Sequence, residues 1–233
     1  MSTHGSRTFI CTVVFIDIIE YSKKSVAEQM QVKEQFNLLL AQVLADVPNK
    51  DRIILDTGDG AAISFLGDPE EGLFLGLALR DALAARSDDG LRLRTGINLG
   101  PVRLVKDING QPNIIGDGIN VAQRVKSFAE INQVLASRSY YEVISALSAD
   151  YAHLFRFEGT RTDKHVREHE VYALGNDPAP QRAPHRKPDP AAVHASAALE
   201  KLNRTVDTAR AEVMRRRLRE RRTGSSPAFV QEV

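Results

Sequence analysis

Two aspartates that follow apolar segments could bind a divalent cation. Asp17 ends the run TFICTVVFID, and Asp59 lies in LDTGDGAAISF. A carboxylate at the end of a buried strand is costly unless a metal or another cation compensates its charge, although Asp17 could instead cap a helix that starts near Ser22. Asp59-Gly60 could also be an ordinary hairpin turn. Together, a strand-end aspartate and one on an adjacent hairpin can converge, and two carboxylates suit Mg²⁺ or Mn²⁺ bound with substrate phosphates.

A second pair of polar residues, Asn120 and Arg124, lies near the start of the predicted helix DGINVAQRVKSFAEI. Because they are four residues apart, both side chains lie on one face of that helix. Asn120 could hydrogen-bond a ribose, and Arg124 could offer a charge-assisted donor fork to phosphate. For such a pair alone, a solvated helix face is the more common explanation.

The strand and helix patterns that must position these residues favour an α+β fold. Nearly continuous apolar and β-branched character over Thr8–Asp17 is typical of a strand buried on both faces. Apolar residues three and four apart predict a core-facing helix in SVAEQMQVKEQFNLLLAQVLADV. The segment LRLRTGINLGPVRLV predicts two strands around Gly100-Pro101, and Ser137 can cap a helix that runs to about Leu147. Pairs of adjacent strands between helices indicate a mixed sheet and not a parallel barrel.

Charge and proline content change after residue 175. The chain of 233 residues has a formal net charge of +1, but residues 176–233 hold 12 of the 31 basic and 7 of the 30 acidic residues, a net +5. Residues 1–175 therefore carry 19 basic and 23 acidic residues, a net −4. Five of the ten prolines fall in PAPQRAPHRKPDP, which predicts a Pro-rich linker over 176–190. We expect a basic helical tail over 191–222 and disorder over 223–233.

Composition limits the class of protein and its partners. A hydrophobic share of 42% and a charged share of 26% fit an ordinary globular protein. The one cysteine, Cys11, cannot form an internal disulfide, and the apolar run Phe9–Ile16 is too short for a membrane span, so we expect a cytoplasmic protein. The tail segment RRRLRERR could contact an anionic membrane or nucleic acid, but a solvated helix end is the simpler explanation. No stacking aromatics accompany this basic run, so we predict no nucleic-acid partner.

Five segments in order resemble one known family. FIDIIEYS, LDTGDGAAISF, RTGINLGPV, IIGDGINVAQR and EVYAL follow the order and spacing of the class III nucleotide cyclase catalytic domain. The resemblance covers residues 8–174 and assigns 1–175 to one catalytic domain. It implies a ferredoxin-like mixed sheet with flanking helices, a head-to-tail homodimer with sites at the interface, and two Mg²⁺ or Mn²⁺ ions per site. As a compact stand-alone domain, the chain resembles the uridylate cyclases of bacterial antiphage signalling.

The resemblance also implies a role for each polar position of the motifs. In this family the metal ligands come from one protomer, and the asparagine and arginine that position the ribose and stabilise the transition state come from the other. A chain that carries both sets should form two complete sites per dimer. The matching positions are Asp17, Ile18 and Asp59 for the metals, Tyr21, Ser22 and Lys164 for the phosphates, and Asn120 and Arg124 for the ribose and the transition state.

The positions that read the base in this family differ here. Adenylate cyclases place a lysine and an acid or threonine where this chain has Leu55 and Asn113. Guanylate cyclases place a glutamate and a cysteine or similar small residue at these positions, and that pair is absent here as well. Leucine cannot donate a hydrogen bond to a purine nitrogen. Glu20 also replaces the usual glycine of the phosphate loop. We therefore expect a pyrimidine substrate, UTP before CTP, with cyclic UMP acting in antiphage signalling. An adenylate cyclase that reads ATP through other residues and a catalytically silent nucleotide-binding protein are the alternatives.

Overall fold

A computed structural model describes the chain over residues 8–48, 51–86 and 90–175. The predicted linker over 176–190, the basic tail over 191–222 and the terminal segment over 223–233 lie outside the described residues. Of the helices that are described, none is long and apolar enough to cross a bilayer.

Single strands or pairs of strands are separated by α-helices along the described part of the chain, and a short 3₁₀ turn over Tyr21–Lys23 separates the first strand from the first helix. That helix begins at Val26 and not near Ser22, because Ser25 and Glu28 cap each other's main-chain N–H groups. In chain order the elements are β1 (Thr8–Ile18), α1 (Val26–Val43), β2 (Arg52–Asp56), β3 (Gly60–Phe65), α2 (Glu70–Ala84), β4 (Leu93–Lys106), β5 (Pro112–Ile115), α3 (Asp117–Phe128), β6 (Val134–Ser137), α4 (Arg138–Leu147), α5 (Ala149–Ala152), β7 (Phe155–Thr162) and β8 (Glu168–Leu174).

The strands form one mixed sheet in the order β2-β3-β1-β4-β6-β8-β7, with β5 paired to β4. β4 and β6 are parallel, and the other described pairs are antiparallel. The succession β1-α1-β2-β3-α2-β4, with β1 between β3 and β4, is the ferredoxin-like arrangement. The predicted α+β class, with a mixed sheet and flanking helices, is confirmed.

Strand β1 is an interior strand of the sheet, between β3 and β4, and is buried on both faces. Val14 and Ile16 belong to the larger apolar cluster, which also contains residues of α1 and α2. Val13 and Phe15 face the opposite side, where Ala122 of α3 packs. Each buried aliphatic side chain contributes about 1.5–3 kcal/mol relative to an exposed one. The hydrophobic residues of β1 therefore fix the position at which the strand ends.

One prediction about the sheet is wrong. LRLRTGINLGPVRLV does not form two strands, because β4 continues through Gly100-Pro101 over 14 residues. Pro101 is exposed and stands opposite Ile10 of β1, and β4 then passes directly to its pairing with β5. A Cβ at Gly100 would lie 3.0 Å from the Cα of Gly118 in α3. The glycine therefore accommodates a close helix contact and does not form a turn.

Gly60 allows β3 to approach the end of β1. It is the register partner of Asp17, and a Cβ on Gly60 would lie 2.1 Å from the main-chain oxygen of Ile16. Real Cβ atoms do not come this close to a main-chain oxygen, so any side chain here must push the two strands apart. The close pairing of β1 and β3 depends on this glycine.

We predict that Gly60→Ala lowers the free energy of unfolding by about 3 kcal/mol, because the new methyl group overpacks two buried strands. Urea denaturation followed by circular dichroism measures this change. Gly67→Ala is the matched control, since a Cβ there meets no atom within 4 Å, and its effect should stay below about 1 kcal/mol. Equal stability of the two variants would contradict the role given to Gly60.

Candidate functional site

The structure brings the two predicted metal-binding aspartates onto neighbouring strands. Asp17 is the penultimate residue of β1, and Asp59 immediately precedes β3. The main-chain N–H of Ile18 donates to the carbonyl of Asp59 over 2.8 Å, which fixes the end of β1 against the loop before β3. Asp17 is buried, with 6% of its surface exposed, whereas Asp59 is exposed. We call Asp17, Ile18 and Asp59 the aspartate half-site.

The donors of the aspartate half-site have the chemistry of a Mg²⁺ or Mn²⁺ site. Both side chains are carboxylates, and Ile18 can add a main-chain carbonyl, so every donor is a hard oxygen. Among the residues that the structure describes, no three His, Cys, Asp or Glu side chains gather into a metal-binding cluster. A divalent cation at these two aspartates would therefore need further oxygens from water or from substrate phosphates.

Two cations already neutralise Asp17. Arg94 of β4 contacts one carboxylate oxygen of Asp17 at 2.7 Å, and Lys126 of α3 contacts the other at 3.3 Å. The alternative in which Asp17 caps a helix is wrong, because Asp17 lies inside β1 and its carboxylate faces these two side chains. The buried charge is compensated by protein cations that come from distant parts of the sequence.

Lys33 of α1 holds the hairpin that carries Asp59, and the sequence patterns did not single it out. Its ammonium donates to Asp56 over 2.8 Å and to the carbonyl of Gly58 over 3.0 Å. Burial alone would raise the pKa of Asp56, but the bonds from Lys33 and from the Gly58 N–H lower it below its ordinary value. The one sequence signal for Lys33 is its place beside the buried Val32 in an amphipathic helix. Lys33 therefore orients the loop before β3.

The predicted phosphate loop contains a carboxylate in place of a glycine. Glu20 has φ 57° and ψ 23°, a left-handed conformation that glycine adopts without steric cost. Its carboxylate pairs with Lys23 at 2.9 Å and with Arg92 at 3.1 Å, and the hydrogen bond from Lys23 lowers the pKa of Glu20. Tyr21 is half-buried and Ser22 is exposed in the following turn. A phosphate that reaches this turn must share Lys23 and Arg92 with Glu20.

Helix α3 presents Asn120 and Arg124 on one flank. Asn120 is exposed, and the Nε of Arg124 lies 3.5 Å from the carboxylate of Asp163 in the turn between β7 and β8. Lys126 is two residues further along, about 200° around the helix from Arg124, and it reaches Asp17 instead. The predicted ribose and transition-state residues therefore face away from the aspartates of their own chain.

The turn between β7 and β8 is tied to α3 at two points. Asp163 accepts main-chain N–H bonds from His165 over 2.8 Å and from Arg167 over 3.0 Å, in addition to its contact with Arg124. Arg167 also donates to both carboxylate oxygens of Asp117, the first residue of α3, over 3.0 and 3.2 Å. These ties hold the turn of exposed Lys164 on the flank that carries Asn120 and Arg124. We call Asn120, Arg124 and Lys164 the α3 half-site.

The two half-sites of one chain do not meet. Helix α3 stands between them, because Lys126 on one flank contacts Asp17 of β1, and Arg124 on the other contacts Asp163 in the turn between β7 and β8. A cavity of about 450 Å³ does lie beside α3, where Asn98, Ser139 and Glu170 belong to its lining. None of the residues assigned to the two half-sites lines this cavity.

Leu55 and Asn113, the predicted base-specifying positions, lie on β2 and β5, which contact each other. Leu55 packs against an apolar cluster that includes Ile114. The side-chain oxygen of Asn113 accepts the N–H of Ile114 over 2.6 Å. With its oxygen engaged, the amide of Asn113 offers its NH₂ group, a hydrogen-bond donor, to a ligand.

Comparison with known proteins places the fold. No protein-family model matches the chain. A protein of Rhizobium meliloti (strain 1021) named "Putative adenylate cyclase 3" is 28% identical over 154 residues, which is 62% of this chain and 25% of the relative. The chain therefore spans about a quarter of the length of this curated relative.

Solved structures agree over most of the chain. The adenylyl cyclase CyaB from P. aeruginosa superimposes with a TM-score of 0.62 at 18% identity, over 77% of this chain and 99% of that chain. The guanylate cyclase domain of RhGC from Catenaria anguillulae, solved in complex with GTP, gives a TM-score of 0.57 at 17% identity, over 72% of this chain and 98% of that chain. The mixed sheet with flanking helices is the class III nucleotide cyclase fold.

Asp163 should contribute to stability in a way that depends on pH. Burial alone would raise its pKa, but the N–H bonds from Arg167 and His165 and the contact with His169 lower the pKa from an ordinary 3.8 to about 2. A group whose pKa is lower in the folded state stabilises the fold above its unfolded value and loses that effect as pH falls through its folded value.

We therefore predict that Asp163→Asn is less stable than the wild type at neutral pH, and that the difference shrinks as the pH falls from 3.8 toward 2. Urea denaturation of both proteins across this range measures it. The exposed Asp46→Asn variant controls for the general loss of a carboxylate. A stability difference that stays constant down to pH 2 would show that Asp163 does not act through its charge.

Proposed function

We propose that this chain is a metal-dependent nucleotide cyclase, which converts a nucleoside triphosphate to its 3′,5′-cyclic monophosphate and pyrophosphate. The observation that carries the proposal is the pair of complementary half-sites on opposite flanks of α3. One set offers carboxylates for a divalent cation, and the other offers an amide, a guanidinium and an ammonium for a nucleotide. The likeness of the fold to solved cyclases supports the same function.

In the proposed reaction, Asp17 and Asp59 hold the divalent ions, with the main chain of Ile18 beside them. When bound, two such ions lower the pKa of the ribose 3′-hydroxyl and neutralise the pyrophosphate leaving group. The turn of Tyr21 and Ser22 follows Asp17 closely in the sequence and receives the phosphates. The acidic body of the chain, net −4 over residues 1–175, gives the cations a further reason to accompany an anionic substrate.

The α3 half-site acts on the ribose and on the charge that develops in the transition state. Asn120 orients the ribose by hydrogen bonding, and Lys164 binds the terminal phosphates. Arg124 stabilises the growing charge at the α-phosphate, and an arginine in this role contributes about 10³-fold or more. Asp163 is a positioning residue, because its contact at Nε holds Arg124 before substrate arrives.

A homodimer completes the proposed site. Since the two half-sites of one chain face away from each other, the aspartates of one protomer require the α3 half-site of a second copy. A two-fold symmetric pair then contains two equivalent sites at the interface.

The bond made by Asn113 favours a keto base. Its free NH₂ group can donate to the O4 of uracil, whereas the amino groups of adenine and cytosine are themselves donors. Leu55 offers the base an apolar surface and no donor. Guanine also has a keto oxygen, but Leu55 and Asn113 are not the pair by which guanylate cyclases read it, so we propose UTP as the substrate and cyclic UMP as the product. ATP remains the alternative, which the name of the Rhizobium meliloti relative favours. A role in antiphage signalling stays a prediction from the sequence.

A substrate assay tests the activity and the base together. The purified chain is incubated with each of the four NTPs and Mn²⁺, and the products are identified by mass spectrometry. We expect cyclic UMP, and we expect Arg124→Ala to lower kcat by about 10³-fold. The exposed Lys106→Met variant is the control and should retain wild-type turnover. Nucleotide binding without turnover of any NTP would instead support a catalytically silent protein.

Complementation tests the shared site. Asp59→Asn and Asn120→Ala each remove one half-site at an exposed position, so both variants should fold and be inactive. After the two are mixed and allowed to exchange subunits, each mixed dimer contains one intact site. Activity should therefore recover to roughly a quarter of the wild-type value. An inactive mixture whose subunits have exchanged would show that the two half-sites do not combine across a dimer.

A further inference from the structure

Lys126 lies in contact with the aspartate half-site. Its ammonium lies 3.3 Å from one carboxylate oxygen of Asp17 and 5.4 Å from the centre of the Phe15 ring, and 12% of its side chain is exposed. Arg94 occupies the other oxygen of Asp17 at 2.7 Å. Both oxygens of a carboxylate that is assigned to divalent ions therefore face protein cations.

These contacts change the charge that a metal ion meets. Asp17 and Asp59 together carry two negative charges, and Arg94 and Lys126 together carry two positive charges. A divalent ion that approaches this balanced group gains little net attraction, and it meets direct repulsion from an ammonium at Asp17. The triphosphate of a nucleotide brings four negative charges in its fully ionised form, which reverse this balance when it binds with the metal.

We infer that Lys126 is a resident counter-ion of Asp17, which a divalent ion displaces only when it arrives together with the triphosphate. Lys126 thus makes metal loading dependent on the nucleotide. The counter-ion role follows from the geometry at Asp17, and the coupling to the nucleotide rests on the proposed function.

Lys126 is better suited to this exchange than Arg94. A lysine side chain is flexible and can withdraw its ammonium along a four-carbon stem, whereas the planar guanidinium of arginine is pre-organised for a carboxylate. Arg94 is also the register partner of Asp17 on the adjacent strand, so its backbone is fixed beside the carboxylate. When the ion binds, Arg94 can remain in contact with Asp17 while Lys126 moves.

Mn²⁺ binding to the full chain without nucleotide tests the inference, with free Mn²⁺ measured by electron paramagnetic resonance. The wild type should bind Mn²⁺ weakly. Lys126→Met should bind it roughly tenfold more tightly or better, because a positive charge in direct contact with Asp17 is removed. Lys126→Arg keeps the charge and should resemble the wild type, as should Lys106→Met at the opposite end of β4 from Arg94.

A second substitution confirms where the ion binds. Adding Asp59→Asn to Lys126→Met should abolish the gain in affinity. Unchanged Mn²⁺ affinity in Lys126→Met, or a gain that survives Asp59→Asn, would overturn the inference. Because no nucleotide is present, these results do not depend on turnover, so they can succeed or fail independently of the cyclase assay.

If Lys126→Met does not fold, Lys126→Gln replaces it and has the same predicted effect. Circular dichroism shows whether each variant is folded. The wild type provides a further measurement. In the wild type itself, adding 3′-deoxy-UTP, which lacks the attacking hydroxyl and cannot be turned over, should lower free Mn²⁺ well below the value expected from separate binding to the nucleotide and to the protein. Purely additive binding would contradict the proposed coupling.

Discussion

The structure depends on charge compensation of a buried carboxylate, Asp17, near the end of β1. The apolar residues of β1 pack on both faces of the sheet and carry Asp17 into a poorly solvated position, where its charge requires compensation. Arg94 supplies it from the neighbouring strand and Lys126 from the helix that covers β1. The same carboxylate is half of the proposed cation-binding pair, so its protein counter-ions and its proposed metal ions would compete for the same oxygens.

Helix α3 links that carboxylate to the rest of the proposed chemistry. One of its flanks compensates Asp17 through Lys126, and the opposite flank carries Asn120 and Arg124 toward the turn between β7 and β8. Because a helix cannot turn both flanks to one cavity, the groups proposed to bind cations are separated from those proposed to bind the nucleotide. Charge compensation within one subunit and proposed dimerisation thus have a common origin in the placement of α3.

Much of the fold could be predicted from the sequence because local periodicity reports burial directly. The continuous apolar run of β1 and the three-and-four spacing of α1 both correspond to observed elements. The reading of Gly100-Pro101 as a break was wrong, because turn-forming residues also occur in strands where a helix comes close or a strand edge is exposed. A local pattern does not distinguish these cases, since the deciding contact with Gly118 lies elsewhere in the chain.

For the site, the sequence by itself determined the residue types, the place of Asp17 near the end of β1, and the shared helical face of Asn120 and Arg124. These features depend on spacings of a few residues, which the periods of strand and helix fix. Only the tertiary structure decided which groups neutralise Asp17 and which carboxylate holds Arg124, since both depend on strand register and on the packing of α3. The free donor of Asn113 was also beyond sequence reasoning, because an amide shows which end is available only after its backbone partner is in place.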